Sequence, residues 1–128
     1  MENLILTEHH GPVVTITLNR PATMNGLNGA MREEVRRAIG EAVEAARALI
    51  ERGVRSFDVG CMQVNLLHHP AAFASLEQAF DPPANARYAA RFLTALYART
   101  GAWPRAVAGY HSLTPEIGQA YARKVLAV

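Results

Sequence analysis

Glu33, Glu34, Glu41, Glu44 and Glu51 are the side chains best suited to acid–base chemistry, and all five fall between positions 33 and 51. A carboxyl that donates a proton near neutral pH must be shielded, because a solvated one titrates near ~4. A charge series along one helix usually marks a solvated face, so solvation is expected here. Glu41 and Glu44 are the two weak candidates that could turn toward a cleft. Glu77 and Glu116 read as surface or helix-start residues. His9-His10, His68-His69 and His111 offer imidazole nitrogens. Adjacent histidines do not share a helix face, and no cysteine or carboxylate cluster joins them, so packing or capping is expected and no metal. Cys61 is the single cysteine, which excludes an internal disulfide; without a base beside it, it reads as an inert buried thiol.

The elements that must position these groups follow from patterning. Leu4 to Glu8 reads as a strand, His9-His10-Gly11-Pro12 as a turn, and the β-branched run Val13 to Leu18 as the partner strand. Pro21 ends this hairpin, and a polar loop runs from Ala22 to Gly29. Met31, Val35, Ile39, Ala42, Val43, Ala46, Leu49 and Ile50 recur at helical spacing, which predicts a long helix over residues 30–52 stopped by Gly53. Residues 54–66 read as a strand or extended turn. His69-Pro70 opens a short helix through Phe80, and Asp81-Pro82-Pro83 breaks it. Tyr88, Ala89, Phe92, Leu93 and Leu96 form one face of a helix over 84–99, with Arg87 and Arg91 on another. A short helix follows over 103–110, and Thr114-Pro115-Glu116 caps the last one. Phe73, Phe80, Tyr88, Phe92, Leu96 and Trp103 are expected in the core.

Composition narrows the function. The 128 residues are 50% apolar and 19% charged, the balance of an ordinary globular domain. No apolar run approaches the ~18 residues of a transmembrane helix. The formal charge of +2 is too small to argue for nucleic acid. Six Arg against seven Glu leave residues 1–52 at −1, while six Arg and one Lys against four carboxylates leave residues 53–128 at +3. Met1-Glu2-Asn3-Leu4 lacks the basic start and long apolar stretch of a secretory signal, so the chain as encoded is expected to stay in the cytoplasm.

Ser56-Phe57-Asp58-Val59-Gly60-Cys61-Met62-Gln63-Val64-Asn65-Leu66 resembles the Gly-x-Met-Gln motif of bacterial lytic transglycosylases. Further blocks match in order: His68-His69-Pro70, Phe73 to Glu77, Ala79 to Pro82, Asn85 to Leu93, Ala108 to Ser112 and Thr114 to Gly118. The resemblance covers residues 41–128. It implies an α+β, mostly α, lysozyme-like (goose-type) helical domain, preceded here by the hairpin and long helix. It implies action on peptidoglycan glycan strands and no cofactor. In that family one glutamic acid protonates the oxygen between N-acetylmuramic acid and N-acetylglucosamine, and the muramoyl 6-hydroxyl attacks C1 to leave a 1,6-anhydro end. One carboxyl suffices because the nucleophile belongs to the substrate, unlike the usual paired carboxylates. By motif, Gln63 and Met62 would line the cleft, Tyr110 would stand near the acid, and His111 and Ser112 would follow as polar cleft residues. Asn85 would cap or brace its helix. The family works in the cell envelope.

The family's Glu-Ser pair, upstream of Gly-x-Met-Gln, is absent from this chain. The segment in its place resembles something else. Ile5 to Glu8, Gly11 to Pro21, Met24-Asn25-Gly26-Leu27-Asn28 and Met31-Arg32-Glu33-Glu34 resemble the opening of the enoyl-CoA hydratase/isomerase (crotonase) family over residues 3–39. There, Met24 to Leu27 would match the loop near coenzyme A, but the segments that stabilise the enolate are missing. The expected organisation is therefore a chimera: a crotonase-like segment over 1–40 and a truncated transglycosylase-like domain over 41–128, joined inside the long helix. Impaired turnover on glycan strands is expected. A non-catalytic fragment that binds coenzyme A or a protein partner is the alternative. Apolar surface left by the missing segment could drive self-association.

Overall fold

The computed structural model describes residues 3–11 and 13–128. Met1 and Glu2 of the N-terminal reading, and Pro12 of the expected turn, lie outside the described residues. The chain divides into two compact units, residues 1–55 and 56–128. The architecture is α+β and mostly α, as the pattern predicts.

In the first unit, β1 (Ile5–His10) pairs antiparallel with β2 (Val13–Leu18), in a register that sets Ile5 opposite Leu18 and His10 opposite Val13. His9 and His10 are therefore strand residues rather than turn residues. The reversal begins at Gly11, whose φ of +59° suits a residue without Cβ. At the open end, Asn19 donates its backbone N–H to the Leu4 carbonyl (2.8 Å) and its side-chain N–H to the Asn3 carbonyl (2.8 Å). The following loop is fastened by Asn25 Oδ1, which accepts from the Arg20 N–H at 2.7 Å, and by the Arg20 guanidinium donating to the Gly26 carbonyl.

Helix α1 (Gly29–Glu51) starts where Asn28 Oδ1 accepts the Met31 N–H at 2.8 Å, satisfying one otherwise orphaned helix donor. Its stripe meets the hairpin through Met31 and Ala38, which pack with Ile5 and are flanked by Leu4, Ile16 and Val35. Met31 is fully buried, a contribution of roughly 1.5–3 kcal/mol. The exposed Glu33–Arg36 and Glu44–Arg47 pairs, one turn apart, add little.

The second unit opens with a two-residue hairpin, β3 (Asp58–Val59) and β4 (Val64–Asn65), with Asp58 opposite Asn65 and Val59 opposite Val64. Helices α2 (Leu76–Phe80), α3 (Pro82–Thr100), α4 (Trp103–His111) and α5 (Pro115–Leu126) follow. The predicted helix start at His69-Pro70 is corrected: residues 70–75 are turns and bends, and α2 begins only after Ser75. Ser75 Oγ accepts the Gln78 N–H (3.1 Å) while Gln78 Oε1 accepts the Ala74 N–H, so the real start signal is the Ser75 N-cap, with Gln78 reaching back to the residue before it. Asp81 ends α2 and caps α3, its Oδ2 accepting from the Ala84 N–H at 3.0 Å.

Helix α4 packs on both α3 and α5. Ala79, Ala89, Ala106 and Ala122 are all buried, and such small residues let helices approach closely. Gly118 takes this furthest: a Cβ there would come within 2.7 Å of the Ala108 carbonyl oxygen and 2.6 Å of that of Ser112. Trp103, expected in the core, is 51% exposed, because at the first turn of α4 only one of its faces is covered. Among the described residues, no helix is long and apolar enough to cross a membrane.

Candidate functional site

The Gly-x-Met-Gln residues form the four-residue connection between β3 and β4. Gly60 and Gln63 both take left-handed φ, +72° and +52°. The Gly60 carbonyl accepts the Gln63 backbone N–H (3.1 Å) and its side-chain N–H (3.0 Å), so Gln63 clasps its own turn. A non-glycine residue at this φ costs roughly 1–2 kcal/mol, and such strain persists where the surroundings fix it. Gln63 Oε1 stays without a partner among the described residues, and the side chain is exposed. Met62 is 42% exposed beside it.

Asn85 builds this turn from beneath. It is the one buried polar side chain among the described residues, and it is fully enclosed. Its Oδ1 accepts the Met62 N–H at 2.9 Å and faces Cys61 Sγ at 3.7 Å. Its Nδ2 donates to the Val59 and Ala79 carbonyls, both at 3.0 Å. A single amide thus ties α2, α3, β3 and the turn together, with its donors and acceptor satisfied. The family resemblance implies for Asn85 only the capping or bracing of its own helix. The signal for more was its place on the buried stripe of α3 with Ala89 and Leu96. Gly60 must be glycine here, because a Cβ would lie 2.5 Å from Asn85 Cγ and 2.8 Å from its Oδ1. Cys61 is exposed even though its Sγ faces Asn85, which corrects the expectation of a buried thiol.

Tyr110 reaches the same turn from α4. Its hydroxyl donates to the Met62 carbonyl at 2.7 Å, and its ring packs on Phe92. Burial, helped by the nearby Tyr121, Cys61, Asp58 and Tyr88 groups, pushes the phenol up to about 12. It is therefore a neutral donor throughout the physiological range. The folded state holds this proton more tightly than the unfolded chain, so the associated stability is complete below pH ~10 and is lost as pH rises through about 12. Tyr110→Phe is expected to cost ~1 kcal/mol and to flatten that alkaline loss, measured as denaturation midpoints between pH 8 and 12.

His111 and Ser112 lie next along the chain but engage elsewhere. His111 stacks on Tyr121 (4.4 Å between centroids, 15°), and Ser112 Oγ accepts the Thr114 N–H at 3.1 Å. Thr114 precedes α5 without a side-chain cap bond. A second pair went unpredicted: His69 Nδ1 lies 2.8 Å from the Tyr88 hydroxyl, and the imidazole packs edge-on against Phe92. Burial first, then the neighbouring His68, lowers the His69 pKa.

The structure thus brings Met62, Gln63 and Tyr110 together over Asn85. Among the described residues no Asp or Glu is buried, and Glu41 and Glu44 are both exposed. In the second unit Asp58 accepts from Asn65 Nδ2 (2.9 Å), Asp81 caps α3, and Glu77 and Glu116 sit in first helical turns. Among the described residues, no group of three metal-ligating side chains forms. The arrangement offers an apolar thioether, an amide with a free acceptor and a neutral phenol, which suits binding of a neutral, hydroxyl-rich ligand.

No curated protein and no solved structure matches the chain. The family model described as "Transglycosylase SLT domain" matches residues 36–124, from within α1 to the last helix. That span exceeds half of the sequence and contains the turn, Asn85 and Tyr110, so the chain belongs to the transglycosylase SLT domain family.

Proposed function

We propose that the chain grips a peptidoglycan glycan strand at the Gly60–Gln63 turn and cleaves it poorly or not at all. Membership of the family supports a lytic-transglycosylase-related action on peptidoglycan. The observation that carries the finer reading is the contrast at the site: a pinned turn beside a neutral phenol, with no buried carboxyl among the described residues. Gln63 gives its amide oxygen and remaining N–H to an N-acetyl or hydroxyl group. Met62 lies against the sugar's apolar face, and Tyr110 holds the Met62 carbonyl in place. His111 and Ser112, engaged by the Tyr121 ring and the Thr114 N–H, take no part in this contact. Scission would require a shielded acid to protonate the bridging oxygen before the muramoyl 6-hydroxyl attacks C1. Glu41 and Glu44 remain the candidates for that role, and their exposure argues against it.

Co-sedimentation with purified sacculi tests the grip. The wild-type chain is expected to pellet with them, and Gln63→Ala to weaken retention about tenfold, as for loss of one or two hydrogen bonds. Wild-type chain left in the supernatant would refute the reading.

For residues 1–40 we propose the separate, crotonase-derived origin. What supports it is the likeness of Leu18-Asn19-Arg20-Pro21 and Asn25-Gly26-Leu27-Asn28 to that family's opening; the transglycosylase match itself begins at Arg36. The segment that resembles the coenzyme A loop is the one after β2, where Met24 and Asn25 take left-handed φ and Met24 is 94% exposed. On the alternative function this loop binds coenzyme A, and calorimetric titration with an acyl-CoA decides it: saturable heat supports binding, and none removes it.

A further inference from the structure

Trp103 is the single tryptophan of the chain. Its indole stacks on the Tyr97 ring, with centroids 4.2 Å apart and planes at 23°. Both residues are substantially exposed, at 51% and 37%. The pair is fixed from both sides. The Tyr97 carbonyl accepts the Gly101 N–H at 2.8 Å, closing α3, and Pro104 sets the first turn of α4. Thr100 Oγ1 donates to the Ala102 carbonyl (3.2 Å) and stiffens the link between the helices.

Two features point to a ligand. An indole left half in water forgoes burial that this large side chain normally takes. Moreover, the exposed pair carries two polar groups open to solvent, the Trp103 indole N–H and the Tyr97 hydroxyl. A flat apolar face carrying two solvent-exposed polar groups complements a pyranose ring, which presents axial C–H bonds on one face and hydroxyls around its edge. The placement agrees. Trp103 and Tyr110 are seven residues apart on α4, hence on the same side of the helix and ~10 Å apart along it. The seam of α3 and α4 carries Phe92–Tyr110 at one end and Tyr97–Trp103 at the other.

We infer that the Tyr97–Trp103 stack is a second glycan contact, which takes an N-acetylhexosamine ring on the open face of the indole. A strand held at Met62 and Gln63 beside Tyr110 needs only about two helical turns to reach it. The class of sugar rests on the proposed peptidoglycan reading; the existence of the contact rests on the stack itself.

Because the chain has no other tryptophan, its emission reports on this contact alone. Titration with an N-acetylglucosamine tetramer is expected to give a saturable blue shift. Trp103→Ala is expected to weaken retention on sacculi about tenfold, the scale of one aromatic stacking contact, with unchanged far-ultraviolet dichroism. Trp103→Phe is expected to restore part of it. Retention on sacculi with static emission and an unaffected Trp103→Ala would overturn this inference and leave the Gly60–Gln63 grip standing. Emission that shifts with protein concentration alone would assign the stack to a second copy of the chain and overturn it too. Binding to neither tetramer nor sacculi would overturn both readings.

Discussion

Replacing Asn85 with Ala is expected to cost the second unit roughly 3–5 kcal/mol, a large fraction of the total stability of a small domain. The substitution strands three backbone groups at once: the Met62 N–H and the Val59 and Ala79 carbonyls. Each buried group left unpaired costs ~1–3 kcal/mol, and a water entering the vacated space brings the sum toward the lower figure. Asn85→Asp is expected to be little better, because a carboxylate would set oxygen against both carbonyls where the amide donated. The natural readout is urea denaturation followed through Trp103 emission, since that residue belongs to the unit concerned. A midpoint shift equivalent to less than ~1 kcal/mol would mean that the amide does not hold the turn. Retention on sacculi should fall with it, because Met62 and Gln63 lose their support.

Gly60→Ala is expected to be comparably damaging, at roughly 3–5 kcal/mol, through two additive causes. A Cβ at φ +72° brings left-handed strain of about 1–2 kcal/mol. The remainder comes from overlap with the Asn85 amide, which three hydrogen bonds hold in place. The two substitutions must therefore be coupled. In an Asn85→Ala background the obstructing atoms are gone, and Gly60→Ala should cost only its backbone strain. A double-mutant cycle reads this directly, with an expected coupling of ~2 kcal/mol or more. Strict additivity would show that the close approach of Gly60 to Asn85 is not what demands glycine.

Much of the fold was legible because long periodic segments are hard to misread. Helix α1 was expected over 30–52 and occupies 29–51, and the β-branched run Val13 to Leu18 paired as a strand. The misreadings have local causes. Polar histidines before a glycine look like a turn, yet the register keeps His10 in its ladder opposite Val13. Pro70 looked like a helix start, while Ser75-Leu76-Glu77-Gln78 spelled the true one. The size of Trp103 predicts a core position, whereas its place in the first turn of α4 leaves it half exposed against Tyr97.

The site was less legible. That Met62, Gln63 and Tyr110 meet was implied by family resemblance and by nothing in the local pattern, since 47 positions separate Gln63 from Tyr110. Periodicity could say that Asn85 faces inward. It could not say that the inward side would be the underside of a turn some two dozen residues earlier. Exposure of Glu41 and Glu44, in contrast, follows from the solvated charge series on α1.

The proposed glycan grip at the Gly60–Gln63 turn, with no buried carboxyl among the described residues, predicts binding without scission. Incubation of the purified chain with sacculi, followed by mass-spectrometric counting of 1,6-anhydro ends in the soluble fraction, tests it most directly. The expected result is protein retained on the sacculi with anhydro ends at the level of a buffer blank. Anhydro ends accumulating with time and protein concentration would contradict it, and would require a sequestered carboxyl acting on the bridging oxygen.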